Sequence, residues 1–116
     1  MSPGAFDAAC RALPAVTMDR PWGSDQVYKV GGKMFAVIGN AVAQGGVSFK
    51  VSDVAFEVLI ETGRAIPAPY LARAKWVKFH DLGALDDAEV EDWLKSAHGL
   101  VAAKLTKTVR AELGLA

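Results

Sequence analysis

The sequence predicts an α+β fold, a two-layer sandwich in which helices cover one face of a mainly antiparallel sheet. Helical and strand-like patterns alternate along the chain, and 52% of its residues are hydrophobic. Short turns join neighbouring strand-like stretches, which favours antiparallel pairing. A chain of 116 residues buries roughly two-thirds of the surface that its unfolded form exposes. We therefore expect a single domain over residues 1–116 that folds without disulfides or metal ions.

The first part of the chain predicts one helix and then three strands. Ser2 and Pro3 are typical of a helix start, and apolar side chains follow three and four positions apart as far as Leu13. Strand-like stretches come next, at residues 15–20, 25–30 and 33–38. Gly31-Gly32 joins the last two, because paired glycines readily adopt the positive φ angles of a two-residue hairpin turn.

The second part predicts further strands and helices separated by loops. Apolar and polar side chains alternate in the two predicted strands, at residues 47–51 and 75–80. Helical spacing of apolar side chains predicts two helices and a last short one, at residues 52–63, 86–105 and 106–113. Stretches rich in glycine or proline predict loops, at residues 39–46 and 64–69.

Three stretches of the sequence carry a family resemblance. They are WG at 22–23 with VYKVGGKMFA at 27–36, PAPYL at 67–71 with KW at 75–76, and LV at 100–101 with KL at 104–105 and Arg110. In these stretches, and in their order, the chain resembles the MmcQ/YjbR family of small bacterial proteins. The resemblance implies a frataxin-like α/β sandwich, also described as a double-wing arrangement, and a DNA-binding role.

The chain departs from the family pattern just before Trp76. Family members often carry an asparagine and a histidine in this segment, at the places where this sequence has Ala72 and Lys75. The change removes the directional hydrogen bonds of an amide and an imidazole, and Lys75 adds only a point charge. Any binding site that uses the polar pair is therefore altered in this chain.

The strongest charge feature is the segment of residues 64–80. Its charged side chains are all basic, and aromatic rings lie among them: Arg64, Arg73, Lys75 and Lys78, with Tyr70 and Trp76. Cations bind phosphates and aromatic rings stack on bases, so this pattern favours nucleic-acid binding. The other interpretation is a solvated sheet face on which long cationic stems cover an aromatic ring.

Lysines also flank the predicted hairpin turn, where a cationic tip suits a nucleic-acid groove. The predicted nucleic-acid-binding residues are therefore Lys29, Lys33, Tyr70, Arg73, Lys75, Trp76 and Lys78. The whole chain has 13 basic and 13 acidic side chains, which argues against a surface built throughout to hold nucleic acid. DNA is thus an expected partner, but one bound weakly and in a salt-sensitive way.

No catalytic residue, metal site or cofactor is predicted, and we expect a protein that is not an enzyme. Acidic residues are concentrated at the start of the long helix, where the positive end of the helix dipole stabilises negative charge. They are Asp86, Asp87, Glu89, Glu91 and Asp92. No histidine or cysteine joins them to suggest a metal site. Cys10 shares an apolar stripe and is expected to be buried. Gly31-Gly32-Lys33 lacks the spacing of a phosphate-binding loop.

The remaining expectations concern location and an alternative function. The sequence has no membrane-spanning run and no signal-peptide pattern, and its single cysteine suits a reducing cytoplasm. The alternative function is a protein- or small-ligand-interaction module. It is favoured by the zero net charge, the uncharged loop of residues 39–46 and the PAPY segment at 67–70, which suits the lining of a concave site.

Overall fold

The computed structural model describes residues 1–21, 23–39, 46–69 and 71–115. Its strands are β1 Val16–Asp19, β2 Gln26–Val30, β3 Lys33–Gly39, β4 Gly46–Lys50, β5 Ile66–Pro67 and β6 Trp76–Phe79. They form one six-stranded sheet in the order β1-β2-β3-β4-β6-β5, and every neighbouring pair is antiparallel. The predicted α+β class with an antiparallel sheet is confirmed.

In the described part of the chain, four α-helices accompany the sheet: α1 Pro3–Arg11, α2 Asp53–Glu61, α3 Asp87–Ala102 and α4 Lys107–Glu112. Each begins after a residue whose side chain caps it. The capping oxygens belong to Ser2, Ser52, Asp86 and Thr106, and each accepts a backbone N–H three residues further on. These bonds satisfy amide groups that have no partner within the first helical turn, so the four caps define where the helices start.

The main core lies between one face of the sheet and the helices. Tyr28 of β2, Phe49 of β4 and Phe79 of β6 point into it, and α3 contributes Val90 and Leu94. Neighbouring strands bring these side chains together, because Phe49 is paired with Val77 and Val47 with Phe79. Alternate residues along each strand therefore point to the opposite face of the sheet.

The opposite face carries a smaller apolar cluster. Val27 of β2, Val37 of β3 and Trp76 of β6 pack there against Ala68, with Leu71 and Met34 at the margin. Two backbone bonds hold Ala68 and Leu71 beside Trp76: Ala68 N donates to Trp76 O, and Trp76 N donates to Leu71 O. Ala68 and Leu71 cover the part of the sheet that contains Trp76, so the face is less exposed than the sequence predicts.

Several boundaries differ from the predicted ones. α1 ends at Arg11 and not at Leu13, and α3 ends at Ala102, before Leu105. Residues 66–67, predicted as part of a loop, form the edge strand β5. Short 3-10 helices that the periodicity does not predict occur at Ala72–Ala74 and Leu82–Ala84. Within the described residues, no helix combines the length and apolarity needed to cross a membrane.

Candidate nucleic-acid interface

The register of the sheet gathers lysines from three strands at one end. Lys33 begins β3, Lys50 ends β4, and Lys75 immediately precedes β6. β4 is antiparallel to both neighbours, so it ends at the side of the sheet where β3 and β6 begin. Lys50 is paired with Trp76 of β6, and Phe49 is paired with Ala36 of β3. Val51 N donates to Lys75 O at 2.9 Å and holds two of these strand ends together.

Two more cations join them from outside the sheet. Arg73 lies in the 3-10 helix before Lys75, and this helix is bound to β4 because Lys50 Nζ donates to Ala74 O at 2.5 Å. Lys104 follows the end of α3 and lines the same concave surface as Lys50. We call this set the basic end: Lys33, Lys50, Arg73, Lys75 and Lys104.

No carboxylate forms an ion pair with the basic end in the described part of the chain. The ion pairs found there join other groups: Met1 with Asp87, Arg11 with Asp7, Lys29 with Asp19 and Arg64 with Glu89. Lys33, Arg73 and Lys104 are also exposed. Their positive charges are therefore available to an anionic partner.

Lys75 is held by its backbone and by its side chain. Its φ angle is 60°, in the left-handed region that side chains rarely adopt. Lys75 N donates to Ala72 O, which closes the 3-10 helix and maintains this conformation. Its Nζ lies 4.9 Å from the ring centre of Phe56 in α2, a cation–π contact. The ammonium group is consequently half-buried but fixed in position.

Lys50, the last residue of β4, has a lowered pKa. Burial is the main cause that lowers the pKa of Lys50, and the neighbouring charge of Lys104 lowers it further. Asp53 opposes the shift. Two ammonium groups thus lie close together with only one nearby carboxylate, which is an arrangement that a bound anion would stabilise.

The opposite end of the molecule is acidic. Asp86, Asp87 and Glu89 surround the first turn of α3. Arg64 binds Glu89 through two parallel bonds of 2.6 and 2.9 Å, and this contact raises the pKa of Arg64 and lowers that of Glu89. Arg64, although part of the basic segment in the sequence, is therefore paired with a carboxylate and does not join Arg73 and Lys75 at the basic end.

Two of the predicted binding residues are not on an exposed surface, and that expectation is wrong. Only 4% of Trp76 and 1% of Lys78 is exposed. Trp76 packs against Val27, Val37 and Ala68, and Lys78 lies between Ser48 of β4 and Ile66 of β5. A ring in this position cannot stack on a base, and a buried ammonium group cannot contact a phosphate.

The other predicted residues have separate outcomes. Lys33, Arg73 and Lys75 meet at the basic end. Lys29 is half-buried and binds Asp19 at 3.1 Å, so its charge is already balanced. Tyr70 lies outside the described residues. Lys50 and Lys104 were missed, because each is isolated in the sequence and the strand register and the position of α3 bring them to this end.

Cys10 and His98 are two side chains of types that often serve in catalysis, and both lie within the fold. No cluster of three or more histidine, cysteine or acidic side chains suited to a metal ion occurs among the described residues. Cys10 is fully buried, and burial raises the pKa of its thiol well above the usual range. His98 is bonded to the backbone, with Nε2 2.8 Å from Pro14 O, and has a structural role.

Comparison with known proteins gives matches at the level of family and of structure. The model of the YjbR family matches residues 11–100. The chain is also similar to the crystal structure of Deinococcus radiodurans protein DR2400, whose family-model domain is DUF419. That similarity has a TM-score of 0.79 and 27% sequence identity, and it covers 96% of this chain and 86% of the other. No curated protein matches the chain.

Proposed function

The chain belongs to the YjbR family. From that premise we propose that it binds nucleic acid weakly, through contacts of its basic end with the phosphate backbone. We propose further that it does so without catalysing a reaction. The observation that carries the proposal is the gathering of Lys33, Lys50, Arg73, Lys75 and Lys104 at one end of the sheet. None of these cations forms an ion pair among the described residues, although Asp53 lies near Lys50. Phosphates supply the negative charge that this end lacks.

The expected mode of binding is electrostatic and not sequence-specific. Phosphate contacts position a protein on nucleic acid, whereas base contacts determine sequence preference. The exposed cations of the basic end suit the first task. Trp76, one of the two rings expected to stack on bases, is buried in the small cluster on the second face. DNA is the proposed partner, with a salt-sensitive and weak affinity, because the net charge of the whole chain is zero.

A titration of charge variants tests this proposal. We expect the double variant Lys33→Gln/Arg73→Gln to weaken binding of a fluorescent DNA duplex at low salt by about fivefold for each charge removed. Both side chains are exposed, so the fold is not expected to change. The matched control is Arg20→Gln, which removes an exposed cation after β1, at the other end of the sheet. Equal losses in the two variants would contradict the proposal.

A second variant separates phosphate binding from base stacking. Trp76→Leu removes the aromatic ring and keeps an apolar side chain in the small cluster. We expect DNA affinity to stay within about twofold of the wild type, while the free energy of unfolding falls by roughly 1–3 kcal/mol because the cluster loses volume. A selective loss of affinity in a stably folded Trp76→Leu variant would show that the ring contacts DNA.

A protein-interaction module is the second candidate function, and one observation favours it. Val54 and Val58, one turn apart on α2, are 72% and 52% exposed, and Ile66 of the edge strand is 42% exposed. Exposed apolar groups of this kind are typical of contact surfaces when they form a patch. Absence of salt-dependent binding to any oligonucleotide would favour this candidate over nucleic-acid binding.

The proposed location is a reducing cytoplasm. Its support is that Cys10, the single cysteine of the sequence, is a buried thiol that can form no internal disulfide. The same burial keeps the thiol protonated, since its pKa is raised, and therefore unreactive. Both features agree with a binding protein whose function does not depend on cysteine chemistry.

A further inference from the structure

A concave surface of about 360 Å³ lies within the basic end, where β4 leads into α2 and α3 ends. Its lining consists of Lys50, Val51, Ser52, Asp53, Leu100 and Lys104. The two lysines enter it from separate elements, one from the sheet and one from the residues after α3. Bringing like charges together costs free energy, and a bound anion would offset that cost.

We propose that this concavity, which we call the phosphate pocket, binds a terminal phosphate group through the ammonium groups of Lys50 and Lys104. A terminal phosphate carries close to two negative charges at neutral pH and has three acceptor oxygens. It therefore matches two lysines better than the singly charged phosphodiester of a strand interior does. Asp53 reduces the positive charge of the pocket by one, which argues for a moderate affinity.

The backbone next to the lysines offers further donors. Ser52 Oγ accepts from Ala55 N, and Ser52 O accepts from Phe56 N. The N–H groups of Asp53 and Val54 lie before these in the first turn of α2, where a helix provides no internal acceptor. They supplement the lysine pair, and the pair carries the proposal.

Lys50 and Lys104 have different roles in the pocket. Lys50 is half-buried and its Nζ also donates to Ala74 O, so its position is fixed before a ligand arrives. Lys104 is exposed and takes part in none of the ion pairs found among the described residues. Lys104→Gln is consequently the variant that removes a ligand contact while it preserves the fold.

The test is a ¹⁵N–¹H NMR titration of the full chain with inorganic phosphate, at ionic strength held constant with chloride. We expect saturable shifts of the amides of Val51, Asp53 and Val54 in the wild type, and at least fivefold weaker binding in Lys104→Gln. Lys95→Gln, which removes an exposed charge in the middle of α3, should bind as the wild type does. Shifts that do not saturate, or equal binding by Lys104→Gln, would overturn the pocket.

Two oligonucleotides identify the source of the phosphate. Assigning the phosphate to the end of a nucleic acid rests on the proposed function. A 5′-phosphorylated strand that binds several-fold more tightly than its 5′-hydroxyl counterpart, with the difference lost in Lys104→Gln, supports the end of a nucleic acid as ligand. Saturable binding of inorganic phosphate without that difference supports a free phosphate compound. If the 5′-hydroxyl strand binds but inorganic phosphate does not, the phosphate pocket is overturned and the proposed function stands. If inorganic phosphate binds saturably but neither strand binds, only the proposed function is overturned.

Discussion

At the scale of single residues, Asp7 connects the first helix to the sheet. Its carboxylate accepts a bond from the hydroxyl of Tyr28 at 2.6 Å and one from Arg11 Nε at 2.9 Å. Tyr28 is fully buried in β2, so this bond anchors α1 on the main core. The Tyr28 bond is the largest cause that lowers the pKa of Asp7; burial opposes it, and Arg11 lowers the pKa further.

The lowered pKa of Asp7 predicts how acid affects the fold. Because the folded pKa lies below the unfolded value of about 4, the ionised carboxylate contributes stability above that pH. The contribution is lost as the pH falls through the folded pKa. We expect Asp7→Asn to lower the free energy of unfolding by about 1 kcal/mol at pH 7, and the difference from the wild type to shrink below pH 4. Urea denaturation at several pH values measures it.

Asp92→Asn is the matched control for this prediction. Asp92 is an exposed carboxylate of α3, so its neutralisation should leave the pH dependence of stability almost unchanged. If Asp7→Asn and Asp92→Asn showed the same pH profile, the bond from Tyr28 to Asp7 would have no measurable role in holding α1 to the sheet.

Trp76 and Lys78 show how far single residues of the site could be predicted. Their alternation with Val77 and Phe79 predicts correctly that they share one face of a strand. The pattern contains no information about what covers that face. Ala68 and Leu71, which follow one another closely in a proline-containing segment, fold back over Trp76 through main-chain bonds. The exposure of Trp76 therefore depends on a fold-back of the preceding segment, which the alternation of the strand does not encode.

At the scale of elements, the β2–β3 hairpin is where the sequence was most informative. Gly31 and Gly32 have φ angles of 58° and 79°, as the predicted two-residue turn requires. Only Gly31 also contacts the rest of the fold, because a Cβ added there would lie 2.6 Å from Leu105 Cδ1. Nothing lies within 4 Å of a Cβ added to Gly32. A side chain at Gly32 would therefore meet backbone strain alone, whereas a side chain at Gly31 would meet both backbone strain and a clash with Leu105.

Alanine variants of the two glycines test this distinction. We expect Gly32→Ala to cost about 1 kcal/mol, since a side chain is strained at positive φ. Gly31→Ala carries the same strain and in addition displaces Leu105 from the core, so it should be destabilised clearly more. Thermal or urea denaturation of both variants provides the comparison. Equal losses would indicate that the turn does not pack against the residues after α3.

Elements with a strong period or a cap were predictable, and short connecting elements were not. The caps at Ser2, Ser52 and Asp86 mark helix starts in the sequence and in the structure. The strand β5 has two residues, one of them a proline, and exists only because Ile66 and Pro67 pair with β6. Such an element has no periodicity of its own, and tertiary contact determines it.

At the scale of the whole molecule, a net charge of zero conceals a separation of charge. The acidic residues at the start of α3 lie at one end, and the basic end lies at the other. Composition alone argues against nucleic-acid binding, whereas this arrangement favours it, because a partner responds to the local field and not to the sum. The basic run and the lysines of the hairpin predicted Arg73, Lys75 and Lys33, whereas the strand register and the position of α3 added Lys50 and Lys104.

The most direct test of the basic end is the salt dependence of DNA affinity. Each phosphate contact contributes a slope of about −0.9 to the logarithm of the binding constant against that of the salt concentration. For four to five contacts by the basic end we expect a slope of roughly −4 in the wild type, and a slope closer to zero by about 2 in Lys33→Gln/Arg73→Gln. A wild-type slope near zero, or the same steep slope in that double variant, would contradict the account.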